Sequence, residues 1–301
     1  MVRFMAFVQR SAWSRFSFGP SGICRASLLA LLALLAGCEG SVTMDLATEL
    51  PADPNITQVT TNIRGLEFTT SGGNKTLEFR GSEQVNLLDL SDDNGVLRLF
   101  TDEQLSDGNY TGVRLLFDEN LANDTFVSTS AGQRFSLNLA NGDFAGLSFS
   151  IEDNERSSDS FTLVLDLRKS LTFDNRTAEY TLTPSMRTVA TARASRIEGI
   201  VNVACPAGQS LARGAVYLFQ GRDVTPDDID SSGVEPFATS PIFNSGNSFF
   251  YTLTFLPAGD YTLALTCLGN DDNPSTNEDL QFRNVVNVRL GDGETLTLNL
   301  T

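Results

Sequence analysis

The sequence predicts an all-β fold: two antiparallel Greek-key β-sandwich domains behind a cleaved leader. Three observations predict it. Apolar residues alternate with period two, so that Phe161, Leu163, Leu165 and Leu167 share one face, as do Phe135, Leu137 and Leu139, and Leu147, Phe149 and Ile151; this is the pattern of half-buried strands. Clusters of turn formers separate the runs: Ser71-Gly72-Gly73-Asn74, Asp92-Asp93-Asn94-Gly95 and Asn141-Gly142-Asp143. No stretch of useful length carries a helical period, and many short strands with turns at regular spacing point to sandwiches.

The elements follow in chain order. Residues 1–37 read as a leader. Arg3, Arg10, Arg15 and Arg25 are its only charged side chains, and residues 26–36 (ASLLALLALLA) form an uninterrupted apolar run. That run is shorter than the ~20 residues a membrane-spanning helix needs and has the length of a signal-peptide core. It ends in Leu35-Ala36-Gly37-Cys38, which looks like a lipobox: small residues that lie extended in a peptidase groove, then a nucleophilic thiol that takes a thioether-linked diacylglycerol. Cys38 is therefore the expected lipidation site, with palmitate or a similar acyl chain beside it, and residues 38–41 form a short tether. Glu39 in place of the aspartate that usually retains lipoproteins in the inner membrane favours the outer membrane.

Residues 42–195 are expected to form the first sandwich and residues 196–301 the second. One internal echo relates them. Leu105-Ser106-Asp107-Gly108-Asn109-Tyr110-Thr111 and Leu256-Pro257-Ala258-Gly259-Asp260-Tyr261-Thr262 share the form L-x-x-G-x-Y-T. Gly108 and Gly259 suit a tight turn. Tyr110 and Tyr261 suit a tyrosine corner, in which the ring is buried and the hydroxyl bonds to nearby backbone; the rival reading is a pair of ligand-stacking rings. Cys205 and Cys267 both fall in the second sandwich of an exported chain, where a disulfide is expected.

Charge narrows the partners. Removing residues 1–37 takes four arginines and no acid from the 21 basic and 37 acidic residues of the chain, leaving a formal charge of −20. Phosphate contacts dominate nucleic-acid affinity, so no nucleic-acid partner is expected, and an anionic lipid surface would repel the protein. The membrane is then reached through the N-terminal lipid. A protein or glycan is the expected ligand.

Several chemistries are excluded outright. The chain contains no histidine, which removes Ser-His-Asp and Cys-His catalysis and histidine metal sites. Only two lysines occur, Lys75 and Lys169, and Lys169 beside Ser170 on a strand would face away from it. No catalytic residues are assigned. A cation site is the sharpest candidate. Asp271, Asp272, Asn273, Asn277, Glu278 and Asp279 crowd one loop with the hard oxygen ligands that calcium takes. The alternative is a solvated acidic loop. Asp227, Asp228 and Asp230 form a second, weaker cluster.

Two resemblances add to this reading. Asp89-Leu90 with Asn94-Gly95, then 108–115 (GNYTGVRL), then Asp166-Leu167-Arg168-Lys169-Ser170, then 180–184 (YTLTP) occur in order. Residues 41 to about 195 thereby resemble the bacterial lipoprotein-associated domain-of-unknown-function family 4382, a family without an established activity or catalytic residues, so the resemblance carries nothing catalytic over to this chain. Residues 199–300, through 214–219 (GAVYLF) and 256–263 (LPAGDYTL), resemble transthyretin-like or carboxypeptidase-regulatory-like sandwiches, which implies a structural or binding module. Together these readings predict a non-enzymatic, lipid-anchored binding or architectural module of the cell envelope. The rivals are a carboxylate-dependent, glycosidase-like hydrolase, which needs two acids in a concave cleft, and a subunit of an envelope assembly.

Overall fold

The computed structural model describes residues 40–91, 95–152, 158–246 and 248–301. The leader, Cys38 and Glu39 lie outside the described residues, as does the turn at Asp92, Asp93 and Asn94. Among the described residues the strands are, in order, β1 (Ser41–Glu49), β2 (Ile56–Thr70), β3 (Gly73–Asn86), β4 (Leu97–Gln104), β5 (Gly108–Phe117), β6 (Phe126–Thr129), β7 (Arg134–Leu139), β8 (Ala145–Ile151), β9 (Ser158–Asp166), β10 (Leu171–Asp174), β11 (Glu179–Leu182) and β12 (Met186–Ala190). They continue with β13 (Ser195–Val201), β14 (Ala215–Gln220), β15 (Ala238–Pro241), β16 (Phe243–Ser245), β17 (Ser248–Leu256), β18 (Gly259–Thr266), β19 (Phe282–Leu290) and β20 (Thr295–Thr297). The one α-helix among the described residues is a single turn, α1 (Leu167–Ser170).

The first twelve strands form two sheets. One has the order β12-β9-β1-β4, and the other runs β10-β11-β7-β6-β2-β5-β8 with β3 also on β2. Val42, Met44, Leu163 and Leu165 of the first sheet meet Val59, Ile63, Leu66 and Phe68 of the second in one core. The last eight strands form the sheets β16-β17-β13-β20 and β15-β14-β18-β19, with Ile197, Tyr251 and Leu253 packed in one core with Val216, Leu218, Leu263 and Leu265. The all-β sandwich fold is what the alternation indicated. Most pairings are antiparallel, but β1 with β9, β7 with β11 and β13 with β20 are parallel. The chain end runs beside β13, where Leu298 N donates to Glu198 O at 2.8 Å and Leu300 N to Ile200 O at 2.9 Å. Gly199 permits this approach, since a Cβ there would stand 1.9 Å from Leu298 O.

Two strands depart from simple alternation. Strand β9 is buried on both faces from Phe161 to Asp166, and it stops one residue before Leu167. Asp166 accepts a hydrogen bond from Lys169 N at 3.1 Å and so caps α1, the role for which aspartate is favoured. Leu167 is thus the first helical residue rather than the last of a strand. Strand β14 is buried on both faces as well. Val216 and Leu218 point into the sandwich core, while Ala215, Tyr217 and Phe219 form a second cluster with Ile229, Ala264 and Leu280. The loops that precede β15 and β19 supply Ile229 and Leu280, and they cover that outer face.

Candidate functional site

Helix α1 presents its cations to the second sandwich. Arg168 is fully buried and donates through Nη1 to Gly269 O at 2.5 Å and to the Tyr217 hydroxyl at 3.4 Å. Lys169 Nζ donates to Pro236 O, and Ser170 Oγ to Asp166 O. Lys169 and Ser170 are therefore engaged separately, as adjacent residues of a helical turn. From β12, Arg187 donates to Thr254 O at 3.2 Å and pairs with Glu49 at 2.5 Å. Glu49 in turn accepts from Thr239 N at 3.4 Å. Three cations of the first sandwich thus satisfy backbone carbonyls of the second. Burial pushes the Glu49 carboxyl up to about 7 even though Arg187 pulls it down.

Beyond Arg168 lies the acidic region. The Tyr217 hydroxyl donates to Asp272 Oδ2, and Ile229 N donates to Asp272 Oδ1 at 3.1 Å. Glu278 N donates to Asp228 Oδ2 at 2.5 Å, and Asn273 N donates to Glu278 Oε2 at 3.1 Å. Oxygens of Asp228, Asp272 and Glu278 lie within 4.8 Å of one another. Asp228 and Asp272 are buried and Glu278 is half-buried. Two charges at that separation repel by roughly 3 kcal/mol at an effective dielectric near 20. Burial, the largest cause, pushes Asp272 up to about 6, opposed by the hydrogen bond from Tyr217 and the charge of Arg168, with Asp228 adding a smaller rise.

The six loop residues singled out in the sequence are divided. Asp272 and Glu278 join Asp228. Asp271 pairs with Arg213, Asp279 accepts from Gln281 Nε2 at 2.8 Å, and Asn273 Oδ1 accepts from Ser275 N at 3.0 Å. Asn277 donates to Asp230 Oδ2 at 2.7 Å, a bond that holds Asp230 below the usual carboxylate range and stitches the two acidic loops together. Asp228, assigned to the weaker cluster, stands at the centre. The signal that could have found it is its neighbour Ile229, an apolar residue inside an acidic run that marks a loop folded back onto the protein. The Cys205–Cys267 disulfide, with Cα atoms 6.0 Å apart, anchors the start of the second loop.

A cleft of about 350 Å³ opens between the sandwiches beside this region. Phe173, Asn175, Tyr180 and Asp53 of the first sandwich and residues 270–274 of the second line it. Phe173 and Tyr180 are tilted against each other with centroids 4.6 Å apart, and Phe173 is exposed. The volume falls in the range of small-ligand sites.

The two echoed tyrosines are placed alike. Tyr110 donates to Ser106 O and Tyr261 to Pro257 O, each at 2.7 Å and each four residues upstream. Both rings are buried. Gly108 has a positive φ of 147°, whereas Gly259 packs beneath the Tyr261 ring, where a Cβ would lie 3.4 Å from the nearest ring carbon.

Residues 39–184 match the family model of a domain of unknown function, DUF4382. No curated protein matches the sequence. Among solved structures the chain is similar to the Bacillus anthracis TIE protein, at 11% identity and a TM-score of 0.20, over 87% of this chain and 34% of that one. The chain therefore spans about a third of that protein's length. It is also similar to the minor pilin of Streptococcus agalactiae, at 12% identity and a TM-score of 0.21 over 86% and 94% of the two chains. The fimbrial anchor protein Mfa2 from Porphyromonas gingivalis shows 8% identity and a TM-score of 0.19 over 77% and 80%. None of them guides the reading of a site here.

Proposed function

We propose that this protein is a non-enzymatic binding module of the bacterial envelope, held at the outer membrane by a lipid on Cys38, which takes a glycan in the cleft between its sandwiches. The cleft carries the reading. An exposed aromatic face, Phe173, stands among short amide and carboxyl side chains, Asn175, Asp53 and Asn270. A sugar ring offers an apolar face to stack on such a ring and hydroxyls to bond to such groups. Of the three acids that line the cleft, Asp271 and Asp272 are already engaged: both oxygens of Asp272 accept protein hydrogen bonds, and Asp271 is held by Arg213. That favours binding over a two-carboxylate hydrolysis. The disulfide fits an oxidising, extracytoplasmic compartment.

The test is binding of the purified protein to envelope and host polysaccharides, with Phe173→Ala as the variant. Loss of about tenfold in affinity is expected, the worth of one stacked aromatic ring. Equal binding by the variant, or release of reducing sugar by the wild type, would overturn the reading. Cys38→Ala should abolish acyl labelling and partition into detergent; membrane retention of that variant would contradict the tether.

A further inference from the structure

We infer that Asp228, Asp272 and Glu278 form a calcium site that clamps the loop before β15 to the loop before β19. This goes beyond the cleft reading and does not depend on it. An acidic cluster alone would be weak ground. The deciding observation is Asp228. It is only 1% exposed, and its Oδ1 is excluded from solvent with no hydrogen-bond partner. A buried carboxylate oxygen without a donor is costly. Among the described residues no lysine or arginine forms an ion pair with any of the three carboxyls. Arg168, the nearest cation along the Tyr217 chain, directs its Nη1 to Gly269 O and the Tyr217 hydroxyl instead.

The group that satisfies three converging carboxylates with an orphaned oxygen among them is a hard cation. Calcium takes oxygen ligands in irregular geometry and keeps waters where protein ligands run short. Three protein carboxylates leave room for such waters on the half-buried Glu278 side. The ligands come from two loops, so the ion would act as a tie. Backbone bonds already set the frame: Ile229 N on Asp272 and Glu278 N on Asp228 run in opposite directions between the loops.

The experiment is thermal unfolding of the purified protein in chelator and in about 1 mM calcium, the range that fills extracellular calcium modules. A rise of roughly 4 °C is expected at tenfold saturation. Asp228→Asn should erase the rise. It should also melt no lower than the wild type in chelator, because an amide oxygen still accepts from Glu278 N while the buried repulsion falls. Glu278→Gln, at a less buried position, should erase the rise as well and guards against a misfolded Asp228 variant. Terbium offers a second readout. Tyr217, whose hydroxyl rests on Asp272, should sensitise its emission, and Tyr217→Phe should lose that emission yet keep the calcium-dependent rise. An unchanged melting curve with and without calcium would overturn the site, as would a rise that survives in both carboxyl variants.

Discussion

Glu49 offers the sharpest perturbation. It closes β1, is 8% exposed, and bridges Arg187 of its own sandwich to Thr239 N of the other. Burial raises its carboxyl from an ordinary 4.5 to about 7; Asp166 adds to the rise, while Arg187 and Lys169 oppose it. The folded protein therefore holds this proton more tightly than the unfolded chain. The stabilisation is fully present below about pH 4.5 and is lost as the pH climbs through about 7. A rise of that size corresponds to roughly 3 kcal/mol across the window. The assay is urea unfolding of wild type and Glu49→Gln at intervals from about pH 4.5 to about 8. Glutamine is neutral at every pH, so it stands in for the protonated Glu49 side chain beside Arg187 and has no proton to lose. The diagnostic is the slope: the wild-type advantage should shrink with rising pH, and the variant should lack that component. A difference between the two proteins that is flat across the range, or that grows with pH, would refute the reasoning.

Three further outcomes are expected. Tyr261→Phe removes the bond to Pro257 O from a fully buried ring and should cost about 1 kcal/mol in urea unfolding; an unchanged midpoint would remove the corner's structural role. Replacing Cys205 and Cys267 together by serine opens a loop with a sequence separation of 62 and should cost about 4 kcal/mol on the chain-entropy estimate, seen as a lower melting temperature that reductant no longer changes. Gly199→Ala would drive a methyl group into Leu298 O, and loss of protection of the Leu298 and Leu300 amides in hydrogen exchange would report the displaced chain end; retained protection would show that the backbone can yield there.

How much was legible beforehand depended on the range of the interaction. Strands β7 and β8 could be read from Phe135, Leu137, Leu139 and from Leu147, Phe149, Ile151, because one buried and one wet face imposes period two on the residues themselves. Strands β9 and β14 carried a blurred version of that signal, since both of their faces are covered. The four-residue helix α1 was hidden inside an apparent strand, its only local mark being the capping Asp166. The parallel pairings of β1 with β9 and β13 with β20 left no local mark at all.

The sequence by itself determined the fold class, the strongly acidic surface and the absence of histidine chemistry. These follow from composition and from neighbours a few residues apart. It also set out the candidate acids, but in a different grouping. Only the tertiary structure decided that Asp228 belongs with Asp272 and Glu278, that Arg168 and Glu49 are buried across the junction of the sandwiches, and that Asp271 and Asp279 turn to other partners. The reason is physical. Which carboxylates converge depends on which loops cover the outer face of β14, and that is settled by Ile229 and Leu280 packing against Tyr217 and Phe219, contacts between segments that no local pattern relates.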